Sequence, residues 1–223
     1  MNVLGLDAAT PATAVALLRS DGWLREARED VAAGGRPQHA QRLLGLSAEL
    51  LAAAGLSWAD VELVAVGAGP GSYTGLRIAL ASARGIARAH GARLVGVSSL
   101  RALAEPLHGR AAVAVLDARR GEAFIAAYRD GAELLAPLVC APAELGALAR
   151  RAALDGLAIG DGALRFREQL EEGGVEVAPA ASEHHHLRAG AICRLAAAGT
   201  AASALPDYLR APDAEIALGA RQR

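Results

Sequence analysis

AVAVLDA, residues 112–118, repeats the end of VLGLDA, residues 3–8, and this restart decides the fold. Each apolar run closes on an aspartate, Asp7 or Asp117, and each aspartate precedes an Asp-Gly turn, by 14 and 13 residues respectively. Between aspartate and turn lies a second apolar run, Thr13–Leu18 in the first half and Ala123–Tyr128 in the second. The turns, Asp21-Gly22 and Asp130-Gly131, each lead into a third strand, 23–30 in the first half. Leu43, Leu44, Leu46, Leu50 and Leu51 then recur at helical spacing between His39 and Ala54, and Leu145–Ala153 supplies the corresponding helix of the second half. A short buried strand over 61–66 runs into a glycine-rich loop and a helix over 76–90. LAIGDG, 157–162, parallels LVAVGAG, 63–69. The spacing predicts two copies of a β-β-β-α-β-α unit. The halves are placed at 1–105 and 106–223, with the C-terminal tail packing back on the first. A strand over 94–97 leads to a helix capped by Ser98 or Ser99, and 183–198 predicts a last helix.

Composition narrows the chemistry. Of 223 residues 53% are hydrophobic, but alanine alone makes up about a quarter of the chain and aromatics only 3%. The core is therefore small, aliphatic and large enough to need no disulfide or metal staple. All 23 basic residues are arginine. A Walker-type phosphate lysine, a Schiff-base lysine and a lysine general base are thereby excluded. A net charge of −1 supplies no global field for nucleic acid or an anionic membrane. Cys140 and Cys193 match no zinc or CxxC spacing and read as small buried hydrophobes. Without a signal peptide or a spanning apolar run, a cytoplasmic location with no membrane contact is expected.

Two β-β-β-α-β-α halves are the plan of the α/β actin, sugar-kinase and Hsp70 superfold. There the first β-β turn of each half faces a shared cleft. Backbone N–H groups of such a turn solvate phosphate, while a strand-end aspartate positions metal-bound water. Asp7, Thr10, Asp117, Gly160 and Gly162 stand at the corresponding places and are candidates for vestigial nucleotide binding. The plainer reading of Asp7 and Thr10 is a capped, closed turn. GPGSYTGLR, 69–77, is neither a dinucleotide fingerprint, because Gly75 comes one residue late, nor a Walker loop. As a rigid helix start capped by Ser72 or Thr74 it could hold an anion or simply pack. His184, His185 and His186 are adjacent, and adjacent helical side chains point about 100° apart. They read as a solvated helix start, and His39 as a cap or interface residue. Trp23 and Trp58 read as half-buried anchors.

AGPGSYTGLRIALASARGIA, together with LDAAT, LVGVSSLRALA, LDARRGEAFIAAY, AIGDGA and the terminal PDYLR, resembles the bacterial TsaB (YeaZ) family. The resemblance touches nearly the whole chain. It implies an accessory subunit for tRNA threonylcarbamoyladenosine synthesis, paired with the catalytic paralogue TsaD. With the TsaE ATPase, such a complex moves threonylcarbamoyl from its adenylate to adenosine beside the tRNA anticodon. The implied chain has no cofactor of its own, since ATP belongs to the complex. The paralogue carries two metal-binding histidines four residues apart, and Ser99 and Leu103 stand in their places. A leucine cannot ligate a metal and a serine does so only weakly. The resemblance puts the TsaD contact, and often a homodimer contact, on the first long helix and the helix after the glycine loop. Its residues are Leu43, Leu46, Leu50, Ser72, Tyr73, Leu76, Ala79 and Ala83. Small residues at that density permit close helix approach; equally, both helices can face the chain's own sheet.

Two other functions compete. Asp7, Thr10, Asp117 and the Gly160-Asp161-Gly162 turn would suit an ATP-dependent phosphotransferase of the superfold. Against this, Arg119 and Arg120 occupy the place of a second Gly/Thr-rich phosphate loop. A peptidase finds no Ser-His-Asp order and no HExxH motif to support it.

Overall fold

Val3–Asp7 (β1), buried at every residue, pairs antiparallel with Thr13–Leu18 (β2) and parallel with Leu63–Gly69 (β4). The computed structural model describes residues 1–32 and 35–209. Leu24–Glu29 (β3) and Arg93–Ser98 (β5) complete a sheet ordered β3-β2-β1-β4-β5. In the second half Ala112–Arg119 (β6) pairs antiparallel with Glu122–Arg129 (β7) and parallel with Leu157–Ile159 (β9). Ala132–Cys140 (β8) and Glu176–Val177 (β10) make the order β10-β9-β6-β7-β8. Read from the other edge, this is the arrangement of the first sheet. The repeat expected from VLGLDA and AVAVLDA is thus a repeat of topology, and the fold is that of the actin and sugar-kinase class.

The helices follow from parallel pairing, which needs a crossover between neighbours. His39–Ala53 (α1) and Tyr73–His90 (α2) cover one face of the first sheet. Pro142–Ala152 (α4), Asp161–Arg165 (α5) and Arg167–Glu172 (α6) cover one face of the second. Ser99–Ala104 (α3) and Ala189–Ala197 (α7) fill the space between the two sheets. There Leu100, Leu103 and Ile192 join Val3, Ala114, Phe124 and Ile159 in one core. The chain is therefore five layers deep, and α7 returns from the second half to pack on β1 and β2 of the first. Ser72 Oγ accepts the Gly75 N–H at 3.3 Å to start α2, and Gly91, with φ +71°, ends it. Ser98 is the residue that caps α3.

Two expectations need correction. The helix predicted over 183–198 is a single 3-10 turn, Glu183–His185, then a break, then α7. The break arises because His185 turns inward to bond the carbonyls of Ala178 and Pro179, at 3.2 and 3.1 Å, instead of continuing a solvated helix. The second half also carries α6 and β10, which charged REQLEEGG gave no reason to expect. Trp23 and Trp58 are half-buried, and both cysteines are buried and free. No helix among the described residues is long and apolar enough to cross a membrane.

Candidate functional site

The glycine loop meets the β1–β2 loop in close packing. Ser72 N–H donates to Ala9 O at 2.7 Å. A Cβ on Gly75 would lie 1.9 Å from Ala8 O, one on Gly71 2.6 Å from Ala9 O, and one on Gly69 2.6 Å from Asp207 O. Of the two uses open to GPGSYTG, the structure takes packing: protein backbone fills the space that the missing side chains leave.

Asp7 ends β1 beneath this junction and is 1% exposed. Its Oδ1 accepts the Ala9 N–H at 3.0 Å, and its Oδ2 is buried with no hydrogen-bond partner. A Cβ on Gly67 would lie 2.0 Å from that oxygen and 3.6 Å from Ile192 Cδ1 of α7. Asp7 is thus a turn-closing carboxyl, walled by β4 and α7. Burial pushes it up to about 7, against the Ala9 bond and the charge of Arg28, with Glu26 adding to the rise. The folded chain then binds the proton more tightly than the unfolded chain, whose carboxyl sits near 3.8. The Asp7 contribution to stability is fully present below about pH 4 and is lost as pH rises through 7. At about 1.4 kcal/mol per pH unit, the loss is on the order of 4 kcal/mol. Asp7→Asn keeps the acceptor for Ala9 and removes the charge. Its melting temperature should equal that of the wild type at pH 4 and exceed it at pH 8; parallel curves across that range would contradict this account. Thr10, the other member of the pair, is partly exposed in the same loop.

Asp117 is held differently. Its Oδ1 accepts the Arg119 N–H at 2.8 Å, and its Oδ2 receives Arg165 Nη1 at 2.7 Å and Arg119 Nη1 at 3.3 Å. Its own N–H donates to Asp161 Oδ1 at 3.1 Å, docking the Gly160-Asp161-Gly162 turn on β6. Burial raises the Asp161 carboxyl, with Asp117 adding to the rise. A Cβ on Gly160, whose φ is +105°, would lie 2.1 Å from Val115 O, and one on Gly162 2.6 Å from Leu116 C. These glycines, like those of the first loop, are used for close approach of backbone. His185 Nδ1 adds a bond to the Gly160 N–H at 3.2 Å. No hydrogen bond joins Asp7 to Asp117, whose own partners are those just named. No group of three His, Cys, Asp or Glu there could hold a metal. Ser99 is 0% exposed and its Oγ has no partner, while Leu103 lies in the inter-sheet core.

The two candidate interface helices need their residues reassigned. Leu43, Leu46, Leu50, Ala79 and Ala83 are each 6% exposed or less, packed on the chain's own sheet, and Leu76, 0% exposed, lies in the inter-sheet core. Ala79 and Ala83 of α2 admit that sheet and face away from a partner. His39 likewise is inside, its Nδ1 2.8 Å from Thr13 Oγ1, and burial lowers its pKa; Gln38, not His39, stands at the helix cap. Outward lies Leu44, 48% exposed, which the sequence stripe did not separate from its buried neighbours. With Trp58, Ser82, Gly85, Ile86 and Ala89 it lines a groove of about 270 Å³ between α1 and α2. His90 stacks on Trp58 at one end, with ring centroids 5.9 Å apart. At the other end of α2, Ser72 is partly exposed and Tyr73 is 40% exposed. Arg77 Nη1 donates to the Tyr73 hydroxyl at 3.0 Å.

Comparison with known proteins gives consistent results. Residues 34–218 match the family model of TsaD, tRNA N6-adenosine threonylcarbamoyltransferase. An uncharacterized protein of Mycobacterium tuberculosis is 34% identical over 213 residues, 96% of this chain and 93% of that protein. The Escherichia coli tRNA threonylcarbamoyladenosine biosynthesis protein TsaB is 36% identical over 133 residues, 58% of this chain and 55% of that protein. Among solved structures, YeaZ from Pseudomonas aeruginosa superposes with a TM-score of 0.76 at 31% identity, over 93% of this chain and 99% of that one.

Proposed function

Because this chain belongs to the TsaB (YeaZ) family, we propose that it is a non-catalytic partner subunit in tRNA threonylcarbamoyladenosine synthesis. It pairs with a TsaD-type catalytic paralogue and works alongside a TsaE-type ATPase on tRNA. The observation that carries the proposal is the state of α3. At the two positions where the paralogue's metal histidines would fall, this chain has a buried serine without a partner and a leucine inside the inter-sheet core. Neither side chain can reach a metal in a cleft, and a carbamoyl transfer that depends on such a metal has no seat here. The former phosphate-loop positions support the same reading, because their glycines are filled by protein and Asp117 is taken up in ion pairs. On the outside lies an apolar groove between α1 and α2, with Leu44 and the Trp58–His90 stack on its walls. Apolar and aromatic side chains set in a concave surface are the usual anchors of a protein partner.

A reconstituted transfer reaction tests this directly. With paralogue, ATPase, ATP, threonylcarbamoyl-adenylate and tRNA present, adding this chain should raise turnover by more than tenfold. This chain without the paralogue should give no modified tRNA. Transfer by the isolated chain would overturn the assignment.

A further inference from the structure

We propose that the seam between the two halves holds a small zwitterion, an α-amino acid with an apolar side chain. The site is a cavity of about 240 Å³ where the end of α3 meets the β7–β8 turn and α7. It lies at the far end of β7 from Asp117, which pairs with Ala123. Ala104, Leu107, Tyr128 and Leu195 supply apolar walls, and Arg101, Glu105 and Asp130 supply charge. Pockets for drug-sized ligands start at about 300 Å³, so the guest that fits here is smaller than those.

The charges of the lining decide the class of guest. Arg194 takes Glu105 through two bonds of 2.6 Å, Nε to Oε1 and Nη2 to Oε2, so that carboxylate is already neutralised. Arg101 has no carboxylate partner among the described residues. Its Nη2 donates to Gly131 O at 2.7 Å, its guanidinium lies 5.6 Å from the Tyr128 ring centroid, and its Nε is buried with no hydrogen-bond partner. A guanidinium carries five N–H donors in a fork that fits a carboxylate, and here one carbonyl and one ring face hold it in place. A buried donor without an acceptor is destabilising, so folding alone gives no reason for it. On the same turn stands Asp130, exposed, with its Oδ1 accepting the Gly109 N–H at 3.0 Å and no cation paired with it among the described residues. A cation and an anion beside one apolar wall match a zwitterion. A plain carboxylate would meet Asp130 and a plain amine would meet Arg101, each a like-charge approach that costs affinity. The α-carboxylate and α-ammonium of an amino acid answer both charges, and its side chain covers Leu107 and Leu195.

Thermal melts and isothermal titration of the full chain test this. About 10 mM L-leucine or L-phenylalanine should raise the melting temperature by roughly 5 °C for at least one of the two. Their counterparts without the ammonium group, 4-methylpentanoate and 3-phenylpropanoate, should raise it by less than about 1 °C. Asp130 has φ +48°, a conformation that asparagine also adopts readily, and Asp130→Asn keeps the acceptor for Gly109 while removing the charge. That variant should bind the amino acid about tenfold more weakly and the deaminated acid at least as well as the wild type does. Arg101→Gln should bind neither; should it fail to fold, Asp130→Asn decides alone. No shift with either amino acid, equal shifts with the deaminated acids, or wild-type amino-acid affinity in Asp130→Asn would each overturn the inference. None of these readouts involves the paralogue, so the inference stands or falls apart from the function proposed above.

Discussion

Gly75→Ala should lower the melting temperature by roughly 10 °C. The added Cβ would lie 1.9 Å from Ala8 O, a contact between a methyl group and a backbone oxygen that no rotamer change can relieve. To accept it, the start of α2 must move away from the β1–β2 loop and give up the bond from Ser72 N–H to Ala9 O. Overpacking of this kind costs up to about 3 kcal/mol, and a lost buried bond adds about 1 kcal/mol. For a chain of this length each kcal/mol moves the midpoint by roughly 2–4 °C. Gly85→Ala, in the same helix, is the control. Nothing lies within 4 Å of a Cβ there, and Gly85 is exposed. Alanine is the better helix former by about 1 kcal/mol, so that variant should melt a few degrees higher than the wild type. Equal melting temperatures for the two variants, measured by calorimetry, would show that the close packing of the glycine loop is misdescribed.

Leu44→Arg combined with Gly85→Arg should weaken pairing with the catalytic paralogue at least 100-fold while leaving the melting temperature within about 2 °C of the wild type. Leu44 is already half exposed, so its loss removes little burial on folding, and an arginine at Gly85 projects into solvent. Both changes put a cation on the wall of the α1–α2 groove. A partner whose apolar groups fill that groove would then have to desolvate two guanidinium groups without counter-charges, at several kcal/mol. Leu46→Arg serves as the contrasting case. Leu46 is 6% exposed in the core beneath α1, so arginine there should unfold the chain and report nothing about the interface. Unaltered affinity in the double variant would remove the groove from the docking face.

How much of this was legible in the sequence differs from element to element. The restart at AVAVLDA marked the strands of both halves, because an apolar run closing on an aspartate is a local pattern, whereas their pairing and the shared order of the two sheets, β10 included, come from the fold. The direction in which Leu43, Leu46 and Leu50 point was not legible. An amphipathic stripe looks the same whether it meets the chain's own sheet or another subunit, and burial on β2 decided it. The use of the glycines was hidden for a different reason. What fills the space beside Gly69 is Asp207 O, a contact made by residues far apart in the chain, which spacing cannot register. His185 was misjudged because three consecutive histidines look polar. Only the carbonyls of Ala178 and Pro179, brought close by the end of the second sheet, make the middle one a core residue. Ser99 and Leu103 were the opposite case: their types alone make a poor metal pair, a leucine being no ligand and a serine a weak one, and both side chains are buried.

Titration of the wild-type chain into the TsaD-type paralogue tests the central claim most directly. The account predicts a saturable, stoichiometric complex with micromolar or tighter affinity, and no binding heat when the wild-type chain is replaced by the Leu44→Arg, Gly85→Arg variant at the same concentration. Absence of any complex between two folded proteins, with transfer activity unaffected by this chain, would contradict it.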